Sequence, residues 1–394
     1  MTEAGVARDD DGGFACDHPA MNPAAESARR GTRLPHVLAT LYGLAIVYAS
    51  LEPFHPWLPP PPDTPFFLFG GPSLRFIRYD ALLNVLAYVP FGFFVALLRR
   101  RVTRRRRIAH ALAIGAAMSF AMESLQMYVP PRVASPFDLV ANVVGAFAGG
   151  ALATALAHHA ATRDAFYRAR ARLFLPGHIG DVGLALMLLW LVAQLNPGIP
   201  LFALTFSSDA TAAPGLVAAT RGGAAVHDSA SAVVQAAGTA FQVLGVGLFA
   251  ALLLRRRRNT GAIVLGLIAG ALLLKAGAAI VLLKPAIWQT SLNAGLLAGI
   301  GAGALLLAGA IALPRPAQVA LCAIALLSAL GAPLLAPESL AAPAPLAIFD
   351  WHYGQLLNYN GLTRTALLVW PLLTAAWLFA LAGSPSWGRP PDSA

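Results

Sequence analysis

The sequence predicts an all-α, polytopic integral membrane protein of about ten transmembrane helices with both termini in the cytoplasm. Three observations carry that expectation: the composition, the long unbroken apolar runs, and the placement of the arginines. Of 394 residues, 57% are hydrophobic and 12% are charged, and the mean hydropathy is +0.65. An ordinary soluble domain carries about 25% charged residues. A water-soluble fold cannot hide this much apolar side chain, so a soluble enzyme, a disordered chain and a disulfide scaffold are excluded. A transmembrane β-barrel is disfavoured because the apolar stretches are continuous rather than alternating.

The formal net charge is +10, and 26 of the 28 basic residues are arginine. They fall in short blocks between apolar runs, at 99–101, 104–107 and 255–258. Blocks this short make poor grooves for a nucleic acid, and no nucleic-acid partner is expected. They fit the rule that cytoplasmic loops collect Lys and Arg. The two cysteines, Cys16 and Cys322, form neither a disulfide framework nor a metal-ligand spacing.

A span needs about 20 apolar residues. Residues 1–33 read as a disordered cytoplasmic tail, with Arg29, Arg30 and Arg33 holding the next segment's start inside. The first four spans are 34–51, 80–98, 108–128 and 137–157, and together they form one membrane domain over 34–157. Pro59 to Pro62 make the first loop extended. Residues 158–178 read as a basic cytoplasmic loop. A C-terminal membrane domain of six spans follows over 179–382, at 179–196, 230–254, 261–283, 292–313, 317–335 and 363–382, with Pro371 inside the last. A short cytoplasmic tail, 383–394, closes the chain. With the N-terminus inside, every arginine block falls on the cytoplasmic side. The plasma membrane is the expected location and the lipid bilayer the expected partner.

Glycines recur at helix-packing spacing: Gly145 with Gly149, Gly266 with Gly270, and Gly295 with Gly299 and Gly303. Such small-xxx-small faces let two backbones approach closely, here inside the bundle.

Polar side chains inside spans are costly, so each is a candidate site. Spans two to four hold a cluster: Asp80, Asn84 and Tyr88 in span two, Glu123 and Gln126 late in span three, Arg132 in the next loop, and Asp138 and Asn142 in span four. Spacings of three or four place Asp80 with Asn84, Glu123 with Gln126, and Asp138 with Asn142 on shared helix faces. Asn84, Asn142 and Glu123 lie at one level, roughly 6 Å below the outer surface at 1.5 Å per residue. Spans two and four also resemble a parallel repeat, since Arg precedes Asp in both and Asn follows at four. Structural roles compete. Ser135-Pro136-Phe137-Asp138 is a helix-start signature, Asp80 suits a helix N-terminus, Arg132 can neutralise Asp138 or Glu123, and the asparagines can join helices. Glu123 sits late in its span, where capping does not apply.

With Tyr88-x-Pro90-Phe91-Gly92, Gly145 and the segment from Tyr48 to Phe54, these residues resemble the VanZ-like family over about residues 36 to 157. That family is named after a membrane protein associated with low-level resistance to the glycopeptide teicoplanin. The resemblance implies an envelope-facing helical membrane module that acts on, or shields, a cell-wall or lipid component. It supplies no functional residues for the six added spans.

In the C-terminal half, Lys275 either snorkels to the outer interface or pairs with an acid of the first domain. An outer loop from Glu338 to Arg364 carries Asp350, Trp351, His352, Tyr353, Gln355, Asn358, Tyr359 and Asn360, as a head-group site or an interfacial belt. His227 with Asp228, and Gln194 with Asn196, are weaker candidates. No nucleotide loop, zinc motif or nucleophile elbow is present, and no cofactor or metal is expected.

The first functional reading is therefore a cell-envelope module that binds or shields a lipid or glycan head group through the outer-leaflet cluster, with a link to glycopeptide antibiotic resistance. The second is an integral-membrane enzyme acting on a lipid-linked substrate, with Glu123 and Asp138 as acid and base or as ligands for a divalent cation. The third is a transporter, disfavoured by the one-sided cluster. The fourth is a purely structural bundle.

Overall fold

Hydrocarbon offers no water to a backbone N–H or C=O, so each long apolar run must close into a helix. The computed structural model of the chain follows that rule. It describes residues 32–69, 78–99, 102–130, 132–196, 227–255, 259–282, 294–335 and 354–384; at 78–80, 227–232, 279–282, 329–335 and 354–360 it describes the backbone alone. In chain order the helices are α1 (Leu34–Leu51), α2 (Arg78–Leu98), α3 (Arg104–Gln126), α4 (Pro136–His158), α5 (Ala160–Leu173), α6 (Gly177–Gln194), α7 (His227–Leu253), α8 (Thr260–Leu282), α9 (Ala294–Ile311), α10 (Arg315–Leu335) and α11 (Gly354–Ala382).

Among the described residues, nine of these helices are long and apolar enough to cross a membrane, and α10 holds a shorter apolar stretch, Arg315–Ser328. Large apolar side chains such as Leu273, Leu305 and Phe379 point outwards, at 74%, 77% and 85% exposure. The protein is a polytopic helical membrane protein in a lipid environment.

Two segments differ from expectation. The connection 158–178 is mostly a helix, α5, because its Ala- and Arg-rich sequence has high helix propensity and His159 caps its first turn at Thr162. The last helix begins at Gly354, so Gln355, Asn358, Tyr359 and Asn360 belong to α11 rather than to a loop. Asp350, Trp351, His352 and Tyr353, the tail to residue 31, and residues 385–394 lie outside the described residues, as do the side chains of His227 and Asp228.

The first four helices are held by glycine contacts. A Cβ at Gly145 would meet the Val85 carbonyl and stand 2.9 Å from Tyr88 Cβ. One at Gly149 would meet the Val89 carbonyl and stand 2.8 Å from the Phe93 nitrogen. Residue numbers rise together along both helices, so α2 and α4 run parallel in backbone contact. Ala146 is wholly buried, pinched between Gly92 of α2 and Gly115 of α3. On α3 the partners run the other way, Gly115 with Ala146 and Ala111 with Gly150, so α3 is antiparallel to α4. The C-terminal half repeats the device. A Cβ at Gly299 would stand 2.6 Å from Thr239 Cβ and one at Gly303 2.7 Å from Val243 Cβ, so α9 packs closely on α7. A Cβ at Gly266 or Gly270 would meet nothing within 4 Å. The expected packing face on α8 is therefore open among the described residues, since spacing alone does not say which face has a neighbour.

The core forms two clusters. One joins Ile46, Phe91, Val95, Met122 and Ala146. The other centres on Trp190, Phe249, Trp370 and Trp377, with Trp370 Nε1 donating to the Leu186 carbonyl at 2.9 Å and Trp377 Nε1 to that of Ile179 at 2.8 Å. Helix α1 also packs on α6 and α11, linking the halves.

The arginine-rich end has its own hub. Asp181, wholly buried in the first turns of α6, accepts from Thr32 Oγ1 at 2.7 Å, the Arg33 N–H at 2.6 Å and Arg170 Nη2 at 2.9 Å. Leu175 N–H donates to the Leu253 carbonyl, and Arg255 N–H to that of Leu173. These contacts join the chain segments that charge alternation assigns to one side.

Candidate functional site

At the opposite end, the predicted cluster divides into two groups. The first closes α1. Arg132 Nε donates to the Glu52 carbonyl at 2.9 Å, and its Nη2 to the Ala49 carbonyl at 3.1 Å. Gln126 Nε2 donates to the Ser50 carbonyl at 2.9 Å. The last carbonyls of a helix lack partners within it, so these two side chains complete α1. Arg132 is thereby committed to a cap and is not held by Asp138 or Glu123 in an ion pair among the described contacts. Burial lowers its pKa, partly opposed by the Glu52 carboxylate. Glu52 itself is pushed above the ordinary carboxylate range by burial, with Arg132 pulling it back in part.

The second group lies inside α2, α3 and α4. Glu123 is 3% exposed, and its Oε2 accepts from the Ser135 N–H at 2.9 Å. Ser135 Oγ in turn accepts from the Phe137 N–H at 3.2 Å and caps α4, with Pro136 in its first turn. The expected helix start is thus present, and Glu123 is tied to it. One turn deeper, Asn142 Nδ2 donates to Ser119 Oγ at 2.9 Å. Asn142 Oδ1 is buried with no hydrogen-bond partner, and the buried Tyr88 hydroxyl faces the Ser119 side chain without a bond of full hydrogen-bond geometry. Glu123 neighbours Tyr88 electrostatically, and Asp138 neighbours Glu123.

Of the other predicted residues, Asn84 is half-buried on α2, one turn before Tyr88, and makes no hydrogen bond among the described residues. Asp80 lies in the first turn of α2, where the side chain is outside the described residues. The loop after α1 folds back over this end. Leu58 N–H donates to the Tyr128 carbonyl at 2.9 Å, and Phe67 stacks at 5.8 Å on Phe120 of α3. Among the described residues, no three His, Cys, Asp or Glu side chains converge as metal ligands.

Sequence reasoning missed Ser119, although its position one turn before Glu123 puts both on one face. It also missed Glu52 as a contact. The Glu52 carboxylate lies against Gly361 of α11, and Tyr48 Oη shares a 2.8 Å hydrogen bond with Thr365 Oγ1. These contacts attach the site's rim to the C-terminal half.

Residues 26–157 match the family model VanZ/LLP1. No curated protein matches the chain, and no solved structure matches it. The match covers α1 to α4, the cluster and the loop over it, and it stops where α5 begins. The chain is a multi-pass membrane protein with a VanZ-like region at residues 26–157, continued by a C-terminal multi-span region of its own.

Proposed function

We propose that the VanZ-like region binds the head group of an envelope lipid or glycan from the outer leaflet of the plasma membrane. Tyr88, Glu123 and Asn142 are the contacts, with Asn84 and Asp138 at the rim and Asp80 in the adjoining turn of α2. The observation that supports this reading is a pair of buried polar atoms that lack a full hydrogen bond, Tyr88 Oη and Asn142 Oδ1, both beside Ser119. A buried polar atom without a partner costs about 1–3 kcal/mol. A chain that keeps two such atoms together has a use for them when a ligand arrives.

The donor set narrows the ligand. Glu123 and Asn142 Oδ1 present acceptors, Tyr88 one hydroxyl, and the nearby guanidinium is engaged by α1. A head group bearing hydroxyl or ammonium donors fits this set better than a bare anion. Occupying such a group on a cell-wall precursor is the route by which the region would bear on glycopeptide resistance.

The test is binding of radiolabelled envelope lipids and lipid-linked cell-wall precursors to the purified full chain. Wild type and Glu123→Gln are compared, with thermal stability measured in parallel. The expected result is a Glu123→Gln protein that folds but binds its lipid about tenfold more weakly, one hydrogen bond to the buried carboxyl being worth about 1.4 kcal/mol. Equal binding by both proteins, or none by wild type, overturns the proposal. Conversion of a bound lipid to product would make the same site catalytic.

A further inference from the structure

We propose that the C-terminal half holds a second ligand site, for an anionic phosphate head group that carries a free hydroxyl, where the end of α6 meets α8 and α11. It is independent of the cluster in the VanZ-like region. Lys275 stands in the membrane-crossing part of α8, Thr260–Ala278. Its Nζ donates to the Asn196 carbonyl at 3.0 Å. Asn196 Nδ2 donates to Thr363 Oγ1 at 2.7 Å, so the end of α6, α8 and α11 meet here. An ammonium has three donors, and among the described residues no carboxylate pairs with this one. A cation in a span without a counter-ion is costly, and such residues mark ligand paths.

The second observation is Gln194, two residues before Asn196. It is wholly buried, and neither its Oε1 nor its Nε2 has a hydrogen-bond partner. The remaining donors of the Lys275 ammonium and the unused Gln194 amide N–H2, linked through Asn196 two residues on, ask for an anion. The unused Oε1 asks in addition for a donor. A phosphate ester with a neighbouring hydroxyl supplies both. Leu273 and Leu274, which precede Lys275 on α8, are 74% and 46% exposed, so this part of α8 presents apolar surface to acyl chains. This favours a lipid as the source of the phosphate. The same chemistry in free phosphate is distinguished by the test.

The test is thermal unfolding of the purified full chain in detergent. Short-chain phosphatidylglycerol, short-chain phosphatidylcholine and inorganic phosphate are each added to wild type, Lys275→Met and Gln194→Leu. Phosphatidylglycerol is expected to raise the wild-type midpoint above the phosphatidylcholine value by about 3 °C. Lys275→Met and Gln194→Leu should lose that increment while folding normally, since Gln194→Leu removes an unsatisfied amide and Lys275→Met removes a span cation at the loss of one hydrogen bond to backbone. A shift by inorganic phosphate that Lys275→Met abolishes supports the site with free phosphate as its source. Equal shifts by the two lipids in wild type, with none from phosphate, overturn it. So does an increment kept by both variants, the outcome expected of residues that only pack. If neither variant folds, the wild-type comparison decides alone.

Discussion

Arg132 donates through both Nε and Nη2 to backbone at the end of α1, reaching Glu52 at 2.9 Å and Ala49 at 3.1 Å. A residue that sequence places in a ligand cluster thus serves as a helix cap carried by a loop some eighty positions away. Arg132→Gln should destabilise the protein by about 2 kcal/mol, the scale of charge-assisted hydrogen bonds. Arg132→Lys should restore only part of this, because a point ammonium cannot match the forked guanidinium. Thermal unfolding in detergent measures both. A silent Arg132→Gln would return the residue to the ligand site.

The fold was legible because membrane physics leaves few choices. Apolar runs of span length set the helices, and arginine blocks set their ends. The convergence of Tyr88, Glu123 and Asn142 inside the bundle was legible as well, because polar groups in spans stand out. The division of labour was not. Whether Arg132 meets a carboxylate or a helix end depends on where α1 stops relative to a loop eighty residues on, and no spacing rule reports that. Asp181 escaped notice because an acid in a first helical turn reads as an ordinary favourable end charge. Gly266 and Gly270 have the same spacing as Gly145 and Gly149, yet only the latter pair has a helix against it.

That contrast is measurable. Gly145→Val or Gly149→Val drives side-chain atoms into the α2 backbone and should cost at least about 3 kcal/mol, the upper range for overpacking. Gly266→Ala has open space and should be neutral or stabilising by up to about 1 kcal/mol, the helix-propensity gain. Expression and unfolding of the variants compare them directly. Equal effects would mean that α2 and α4 do not touch as described.

Asp181 ties the start of α1, α5 and α6 together at the arginine-rich end. Asp181→Ala leaves Arg170, 7% exposed, without its carboxylate. The cost should be about 3–5 kcal/mol, as for other buried pairs broken on one side. Protease sensitivity of the chain near α5 should rise in parallel. Unchanged stability and cleavage would contradict the hub.

Glu52 gives the stability a pH dependence of known sign. Burial raises its folded-state pKa above the ordinary carboxylate value, so the folded chain holds the proton more tightly than the unfolded chain. Its contribution is largest below the ordinary value and is lost as pH rises through the folded one. Glu52→Gln should flatten that part of the midpoint-versus-pH curve and raise the midpoint at neutral pH. A curve identical to wild type would show that Glu52 does not titrate there.

The measurement that bears most directly on the binding site uses Tyr88→Phe. The substitution removes one buried hydroxyl that makes no hydrogen bond of full geometry and only faces Ser119, so it takes little from the bundle. Binding of radiolabelled envelope lipids to the purified variant should fall about tenfold, one hydrogen bond's worth, while its unfolding midpoint stays at or above that of wild type. A Tyr88→Phe protein that binds every lipid as wild type does, or that merely unfolds earlier, would contradict a head-group site between α2, α3 and α4.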